Sequence, residues 1–220
     1  MPPEGRLGER GEATIIRRRK FVKEMSPRNY DMSKRAAAAG QTRRRIVDAT
    51  RELHTERGIA ATSWDDIAAR AGVGVGTVYR HFPSLDELVP ACGAVSLELA
   101  ALPDPAGAPA LFEGLATPAE RIARLVEEAH GIYGRAAKEM QVTRREPDAH
   151  PTVAEANEAF ETTLSALVDA AVAPFELPPA ERALVRAMID LDTWEALRAA
   201  GLDHAAASAA VSQMLTARIA

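Results

Sequence analysis

The chain has 220 residues, of which 47% are hydrophobic and 26% are charged. These ordinary values exclude collagen-like, wholly disordered and disulfide-rich scaffolds. The single cysteine, Cys92, cannot close an intrachain disulfide, and no CxxC motif or Cys/His cluster is spaced for a zinc site. No apolar run approaches the roughly 18 residues that span a bilayer, and the first residues lack the apolar region of a signal peptide. The sequence therefore predicts a cytoplasmic protein with no membrane segment, metal or cofactor.

The formal net charge of −4 conceals an asymmetry along the chain. Residues 1–45 contain 13 Lys and Arg against 5 Asp and Glu, whereas residues 46–220 contain 14 against 26. Attraction to phosphate falls off within a Debye length of roughly 8–10 Å, so a basic end on an acidic body is typical of a protein that meets a polyanion at that end. A solvated tail is the alternative interpretation. Residues 1–40 show no sustained apolar period, and we predict a flexible basic arm there.

Three helices are predicted directly after this arm, at residues 42–58, 63–72 and 75–82. Gly58 and Gly72 stand where left-handed C-caps are expected. A Ser-x-x-Asp capping box opens the second helix, and a proline follows the third. The chain therefore begins its folded part with three helices joined by short turns.

Longer helices are predicted further along the chain. A Ser-x-x-Glu capping box at Ser84 opens a fourth helix, which ends near Leu102. Prolines and glycines at 103–110 give the strongest break in the pattern. The helices predicted beyond that break cover residues 117–143, 151–172 and 178–201, with a last helix capped by Asp203. No segment shows the alternation of a strand, so the predicted fold class is all-α.

The layout of residues 42–82 is that of a helix-turn-helix motif. Such a motif places its short last helix in the major groove of DNA. The residues that this helix would present are Val75, Thr77 and Arg80 to base edges, and Thr77, Tyr79 and His81 to phosphates. Gly76 would let the helix approach the sugar-phosphate chain closely.

The stretch from Ala61-Thr62-Ser63 through Ile67-Ala68, continuing over Ala71-Gly72-Val73-Gly74-Val75-Gly76-Thr77-Val78-Tyr79-Arg80-His81-Phe82, resembles the signature of the TetR family of bacterial transcription regulators. The resemblance covers about residues 42–90. It implies a three-helix DNA-binding domain followed by a helical domain that binds a small ligand and pairs two subunits. It also implies a homodimer that reads a palindromic operator, with repression as the family default and release by a small apolar ligand.

The resemblance also assigns DNA contacts by position. The phosphate-contacting residues that it implies are Thr62, Gly76, Thr77, Tyr79 and His81. Arg43 and Arg44, at the start of the first helix, add attraction to phosphate. Val75 stands where many members have a polar or basic reader, and Leu85 stands where a lysine is frequent, so both departures remove potential DNA contacts. Trp64 either covers the start of the second helix or lies near phosphate.

Aromatic and long apolar side chains of the later helices either line a ligand cavity or form an ordinary core. The residues assigned to such a cavity are His130, Tyr133, Met140, Phe160, Leu164, Met188 and Trp194. Alanines of the last two helices permit close helix approach and predict a four-helix bundle between two subunits. The predicted domains are the arm at 1–40, the DNA-binding domain at 41–88 and the ligand-binding and dimerisation domain at 89–220.

Enzyme chemistry finds little support in the sequence. The glycine-rich stretch at residues 72–77 follows a predicted helix, whereas a dinucleotide-binding loop follows a strand. The stretch also lacks the lysine that a P-loop requires. A single Glu127-x-x-His130 spacing is too little for a di-iron centre, and no nucleophile elbow is present. The predicted partners are duplex DNA, a small-molecule effector and a second copy of the chain. Two alternatives stay open: a DNA-binding regulator without an effector, and a helical enzyme or carrier with a vestigial helix-turn-helix.

Overall fold

The computed structural model describes residues 27–219, which are helical with no strand in that range. The α-helices of this range are α1 (Pro27–Arg57), α2 (Trp64–Ala71), α3 (Val75–His81), α4 (Leu85–Ala100), α5 (Pro118–Arg145), α6 (Pro151–Val172), α7 (Pro179–Met188), α8 (Leu191–Ala199) and α9 (His204–Ile219). Short 3₁₀ segments, Pro105–Phe112 and Pro147–Ala149, precede α5 and α6. None of the described helices is both long and apolar enough to cross a bilayer. The all-α prediction is confirmed.

Helix α1 begins at Pro27 rather than at Thr42. Residues 27–40 are therefore helical where a flexible arm was predicted, a correction that follows from the strong helix propensity of the alanine run at 36–39. Pro27 suits the first position of a helix because its missing N–H has no intrahelical acceptor there. The prediction for residues 1–26 lies outside the described residues.

The predicted caps of α2 are confirmed. Ser63 accepts a hydrogen bond from the backbone N–H of Asp66 at 3.2 Å, and the Asp66 carboxylate accepts one from the Ser63 N–H at 3.2 Å. Gly72 ends α2 in the left-handed conformation, at φ 65°. The capping box predicted at Ser84 is not formed: Ser84 is the N-cap of α4, but its side chain makes no capping hydrogen bond.

The proline-rich break predicted at 103–110 contains the first 3₁₀ segment, and a buried arginine holds it in place. Arg121, in the first turn of α5, is 8% exposed. Its guanidinium donates to the carbonyls of Phe112 and Leu115 on one side and of Ala170 and Ala171 on the other, at 2.6–3.1 Å. The last carbonyls of a helix have no intrahelical partner, so Arg121 satisfies the end of α6 while it fixes the preceding loop.

The single helix predicted over 178–201 is wrong, because the chain forms α7 and α8 with a break at Ile189 and Asp190. Asp190 is the N-cap of α8, and its carboxylate accepts a hydrogen bond from the Asp192 N–H at 3.1 Å. The Tyr133 hydroxyl of α5 donates to the Ile189 carbonyl at 2.7 Å. Contacts from a distant helix thus stabilise a break that the local apolar period does not show.

Two apolar clusters make the core. The first joins α1, α2, α3 and the start of α4, and the second surrounds α5, which packs against α6, α8 and α9. Helix α4 belongs to both, because Leu88 and Cys92 lie in the first cluster and Ala100 lies in the second. Gln41–Ala220 forms one compact unit, and the domain boundary at residues 88 and 89 stays a prediction.

Candidate nucleic-acid interface

Helix α3 is anchored by its apolar side and open on the other. Val78 and Phe82 are fully buried in the first core cluster. Tyr79 is 46% exposed and Val75 is 38% exposed. Of the other predicted contact residues of α3, Gly76 and Arg80 are exposed, and Thr77 and His81 are half-buried. The predicted contact residues of α3 are therefore all exposed or half-buried, on a helix whose buried residues are apolar.

Gly76 is not required by the packing of the protein itself. A Cβ atom built at this position would meet no atom within 4 Å, and the residue does not have a positive φ. The space in front of the helix backbone at Gly76 is therefore open.

The Tyr79 ring packs against the Trp64 ring of α2, with ring centroids 4.9 Å apart. Trp64 itself packs against the first core cluster, in agreement with the packing alternative considered for it. The contact fixes the Tyr79 ring, and no described residue forms a hydrogen bond with its hydroxyl. Tyr79 thus carries an available donor on a ring held by aromatic packing.

Both hydrogen-bond donors of Thr62 have acceptors within the protein. Its hydroxyl donates to the Gly58 carbonyl at 2.8 Å, and its backbone N–H donates to the Ile59 carbonyl at 3.1 Å. Phosphate oxygens only accept hydrogen bonds, so Thr62 would have to exchange one of these bonds to reach DNA.

Arg43 of α1 lies at the carboxyl end of α3. The Arg43 guanidinium stacks over the Phe82 ring, 4.3 Å from its centroid. Arg44 is exposed, and neither it nor Arg80 forms an ion pair with any described residue. Arg70 of α2 differs, since it pairs with Glu52 and Glu56 at 3.1 and 2.7 Å. Arg44 of α1 and Arg80 of α3 are therefore available to attract an anion.

A glutamate that the sequence did not single out secures the connection between α1 and α2. Glu146, directly after α5, accepts hydrogen bonds from the N–H groups of Ile59 and Ala60 at 3.1 and 2.9 Å. Gly58 precedes them at φ 94°, and a Cβ there would clash with the Glu146 carboxylate. No local pattern signals a contact between residues 87 positions apart.

The residues assigned to a ligand cavity lie mostly in packed core. Tyr133, Met140, Phe160 and Leu164 are buried in the second cluster. Met188 and Trp194 are partly buried against it. Of the assigned set, Phe160 alone lines a small cavity between α1, α4, α5 and α6. Their assignment as ligand contacts stays a prediction.

His130 is the centre of an aromatic cluster. Its Nδ1 lies 2.8 Å from the Ser208 Oγ. Because the Ser208 hydroxyl donates to the His204 carbonyl, the His130 Nδ1–H donates a hydrogen bond to the Ser208 oxygen. The rings of Tyr133 and Trp194 lie 6.0 and 6.4 Å from that of His130. Burial, together with the nearby His204, lowers the pKa of His130 to about 4. His130 is therefore a neutral core residue near pH 7.

No metal site is present among the residues whose side chains are described. No three His, Cys, Asp or Glu side chains in that part of the chain are grouped to hold an ion.

Comparison with known proteins gives a family match for the helices that build the first core cluster. Residues 46–92 match the family model described as bacterial regulatory proteins, tetR family. A stretch of 44 residues, 20% of this chain, is 54% identical to an HTH-type transcriptional repressor of Mycobacterium tuberculosis. That stretch spans 23% of the relative's own length, so the similarity to the curated relatives covers about a quarter of them.

Solved structures resemble the chain over a longer range. A transcriptional regulator of Rhodococcus sp. Rha1 superposes with a TM-score of 0.57 at 21% identity, over 80% of this chain and 95% of that one. The transcriptional regulator FadR of Bacillus subtilis, solved in complex with stearoyl-CoA, superposes with a TM-score of 0.52 at 19% identity, over 80% and 98%. At these identities the likeness shows a common fold: an amino-terminal helix-turn-helix domain followed by a helical domain.

Proposed function

We propose that this chain, which belongs to the TetR family of bacterial regulatory proteins by its residues 46–92, is a repressor that binds a palindromic operator as a homodimer and is released by a small apolar ligand. The observation that carries the proposal is the geometry of α3. Its apolar residues Val78 and Phe82 are fully buried, while Tyr79 and Arg80 project from the opposite, accessible side. A helix held in this way is suited to enter a major groove without disturbing its own core.

The contacts on DNA divide into two kinds. Val75, Thr77 and Arg80 read base edges, with Arg80 as the side chain able to make paired hydrogen bonds to guanine. Tyr79 and His81 donate to phosphates, and Gly76 gives the sugar-phosphate chain room to approach. Arg43 and Arg44 of α1 add sequence-independent attraction to phosphate.

A homodimer is supported by apolar side chains left exposed on the later helices. Met214 of α9 is 51% exposed, and Leu184 of α7 is 40% exposed. The alanines of α8 and α9 would allow the backbones of two subunits to approach closely. Pairing through these helices about a two-fold axis would place two copies of α3 on one face of the DNA.

Regulation by a ligand would act through α4. This helix starts three residues after α3 ends and packs against both α5 and α6. Two recognition helices bind successive major grooves when they lie about 34 Å apart. A ligand that favours a different position of α4 would change that spacing and shift the population away from the DNA-binding form.

The direct test is selection from random duplex DNA by the purified protein at two salt concentrations, followed by sequencing. We expect a palindromic consensus and an affinity that falls steeply with salt, because bound arginines release counterions. Absence of any enriched sequence would contradict the proposal.

The roles of Tyr79 and Arg80 can be separated on the selected operator. Tyr79→Phe keeps the stacking on Trp64 and removes only the hydroxyl, so we expect about tenfold weaker binding to operator and unrelated DNA alike. Arg80→Ala should instead weaken the operator selectively, by about 1–3 kcal/mol at the base that it reads. Fluorescence anisotropy on operator, single-base variants and unrelated duplex measures both effects. Equal losses on every sequence from both variants would contradict the division of roles.

A further inference from the structure

Two neighbouring side chains of the later helices each have a buried polar atom to which no described residue forms a hydrogen bond. The atoms are Nε2 of His130 on α5 and Nε1 of Trp194 on α8. The centroids of the two rings lie 6.4 Å apart. Nearly all buried polar atoms of native proteins are satisfied by the protein or by a bound molecule, so an adjacent pair of such atoms indicates a binding position.

The two atoms are complementary in their hydrogen bonding. The His130 Nδ1–H donates to the Ser208 oxygen, so Nε2 carries a lone pair and can only accept. The indole N–H of Trp194 can only donate. Burial, together with the nearby His204, lowers the pKa of His130 to about 4, so this pattern holds near pH 7. One partner for both atoms must therefore accept one hydrogen bond and donate another.

Aromatic rings enclose the position between these atoms. The ring centroids of His130, Trp194 and His204 form a nearly equilateral triangle with sides of 6.2–6.4 Å, and the ring planes are inclined by 62–72°. The Tyr133 ring lies 6.0 Å from His130 and 5.9 Å from Trp194, and its hydroxyl already donates to the Ile189 carbonyl. Two hydrogen bonds of about 2.9 Å that meet at one atom span at most about 6 Å, so rings at this separation suit a single bridging atom.

The pair of atoms selects for an uncharged hydroxyl. A metal ion or an ammonium group would satisfy the lone pair of His130 but not the N–H of Trp194. A carboxylate would accept from Trp194 but would face the lone pair of His130, and its charge would be buried without a counter-charge. A hydroxyl oxygen accepts and donates at the same atom.

We infer that His130 Nε2 and Trp194 Nε1 together bind one neutral hydroxyl group between α5, α8 and α9, which donates to His130 and accepts from Trp194. The hydroxyl belongs to a water molecule or to a small, otherwise apolar molecule that replaces the water. The second source rests on the proposed function, because it gives the proposed apolar ligand a hydroxyl group as its point of recognition.

The position of the site connects three helices. Helix α5 carries His130, α8 carries Trp194, and α9 carries both Ser208 and His204. An occupant that bonds to His130 and Trp194 fixes α8 against α5, beside the start of α9. A ligand whose hydroxyl replaces the water therefore acts on the two helices proposed to pair the subunits, and through them on the spacing of the recognition helices.

NMR of the isotope-labelled protein at pH 7 tests the site without DNA. The chain has two tryptophans, so Trp64→Phe and Trp194→Phe assign the two indole N–H signals. We expect a nuclear Overhauser effect from a long-lived water to the Trp194 indole proton, and its loss in His130→Leu, while the Trp64 signal stays the same in both proteins. Absence of this water contact, or a contact unchanged in His130→Leu, would overturn the assignment.

The same site can be followed from the histidine if His130→Leu fails to fold by circular dichroism. The ¹⁵N chemical shift of a lone-pair imidazole nitrogen moves upfield when the nitrogen accepts a hydrogen bond. His130 Nε2 should therefore move downfield in Trp194→Phe, which keeps an aromatic ring but weakens the hold on the bridging hydroxyl. Trp64→Phe is the matched control and should leave this shift unchanged. Equal shifts in the wild type and both variants would overturn the assignment.

Phenol and toluene distinguish the two sources of the hydroxyl, because they are nearly isosteric and only phenol can make both hydrogen bonds. If a small molecule replaces the water, phenol should bind at least fivefold more tightly than toluene and abolish the water contact at Trp194. Trp194→Phe should reduce this preference, and Trp64→Phe should retain it. If phenol leaves the water contact unchanged, the site binds water and the hydroxyl-bearing ligand is wrong.

The regulatory consequence is measured separately on the selected operator. At a phenol concentration that saturates the wild type but not Trp194→Phe, we expect operator binding to weaken at least threefold in the wild type only. If phenol binds as predicted but operator affinity is unchanged, the ligand site stands and its role in release is wrong. If no operator is selected at all, the proposed function fails while the NMR measurements still decide the hydroxyl site.

Discussion

At the scale of single residues, Glu146 joins parts of the chain that are distant in sequence. Glu146→Ala would leave the N–H groups of Ile59 and Ala60 without their acceptor. We expect the free energy of unfolding to fall by about 1–3 kcal/mol, the range for hydrogen bonds to a charged group. Urea denaturation at pH 7 measures the change.

Two further variants show whether that loss belongs to the carboxylate. Glu146→Gln retains one oxygen acceptor and should lose less stability than Glu146→Ala. Asp148→Ala removes an exposed carboxylate two residues away and should change stability by less than about 0.5 kcal/mol. A Glu146→Ala variant as stable as Asp148→Ala would show that these hydrogen bonds do not stabilise the fold.

Gly58 illustrates how far a single residue can be predicted. Its position after an apolar helical period predicts a left-handed C-cap, and the structure has φ 94° there. The clash that a Cβ would make with Glu146 adds a second reason for glycine. That reason depends on a tertiary contact and has no local signal.

At the scale of secondary-structure elements, Asp190 controls the break between α7 and α8. Its carboxylate caps α8 and also accepts hydrogen bonds from Arg144 and Arg186, at 2.9 and 2.7 Å. These hydrogen bonds hold the pKa of Asp190 well below its usual range, against the opposing effect of burial. We expect Asp190→Ala to lower the free energy of unfolding by about 2–4 kcal/mol, through loss of the cap and of both arginine contacts.

The contributions of cap and charge can be separated. Asp190→Asn retains a side-chain oxygen that caps well but removes the negative charge, so it should lose about 1–2 kcal/mol. Asp192→Ala is the control, because that carboxylate is mostly exposed and lies 3.7 Å from Arg144. Thermal and urea unfolding of the three variants should rank Ala below Asn and Asn below the control. Equal stability of Asp190→Ala and Asp190→Asn would assign the whole effect to the charge.

Element boundaries were predictable where the deciding contacts are local. The box of Ser63 and Asp66 forms, and a box of Thr117 and Glu120 opens α5, each between partners three residues apart. At Ser84 the boundary is correct, since Ser84 is the N-cap of α4, but the box itself does not form. The α7–α8 break was missed because Tyr133 and Arg144, which stabilise it, lie on another helix. The extent of α1 was missed because residues 27–40 show no sustained apolar period, whereas the alanines at 36–39 favour a helix through their propensity alone.

At the scale of the whole molecule, the α3 surface and the cavity between α1, α4, α5 and α6 differ in how well they can be predicted from the sequence. The residues proposed to contact DNA are mostly on α3, so their spacing in sequence is their spacing in space. The cavity takes its walls from four helices, and residues as far apart as His54 and Phe160 meet there. The residues assigned to a ligand cavity from the sequence include core residues such as Tyr133 and Leu164, which are fully buried in the second cluster, and their assignment stays a prediction.

The buried histidines make global stability depend on pH. Burial lowers the pKa of both His54 and His130 to about 4, whereas an unfolded chain has a histidine pKa near 6.5. Between these values the unfolded state binds more protons, so stability is full above about pH 6.5 and decreases as the pH falls towards 4. From pH 7.5 to 5.0 we expect each histidine to remove about 2 kcal/mol from the free energy of unfolding.

Urea denaturation at the two pH values tests this with His130→Gln, which is uncharged at both. The carboxylates of Asp66 and Asp190, whose pKa values are lowered by their hydrogen bonds, keep their stabilising effect above about pH 5 and add little to the difference. The variant should therefore be less stable than the wild type at pH 7.5 yet lose about 2 kcal/mol less on acidification. Because His54 lies in the cavity lining and His130 in the aromatic cluster, His54→Leu should reduce the pH dependence by a similar and additive amount. A wild-type pH dependence retained in both single variants would show that neither imidazole is held neutral by burial.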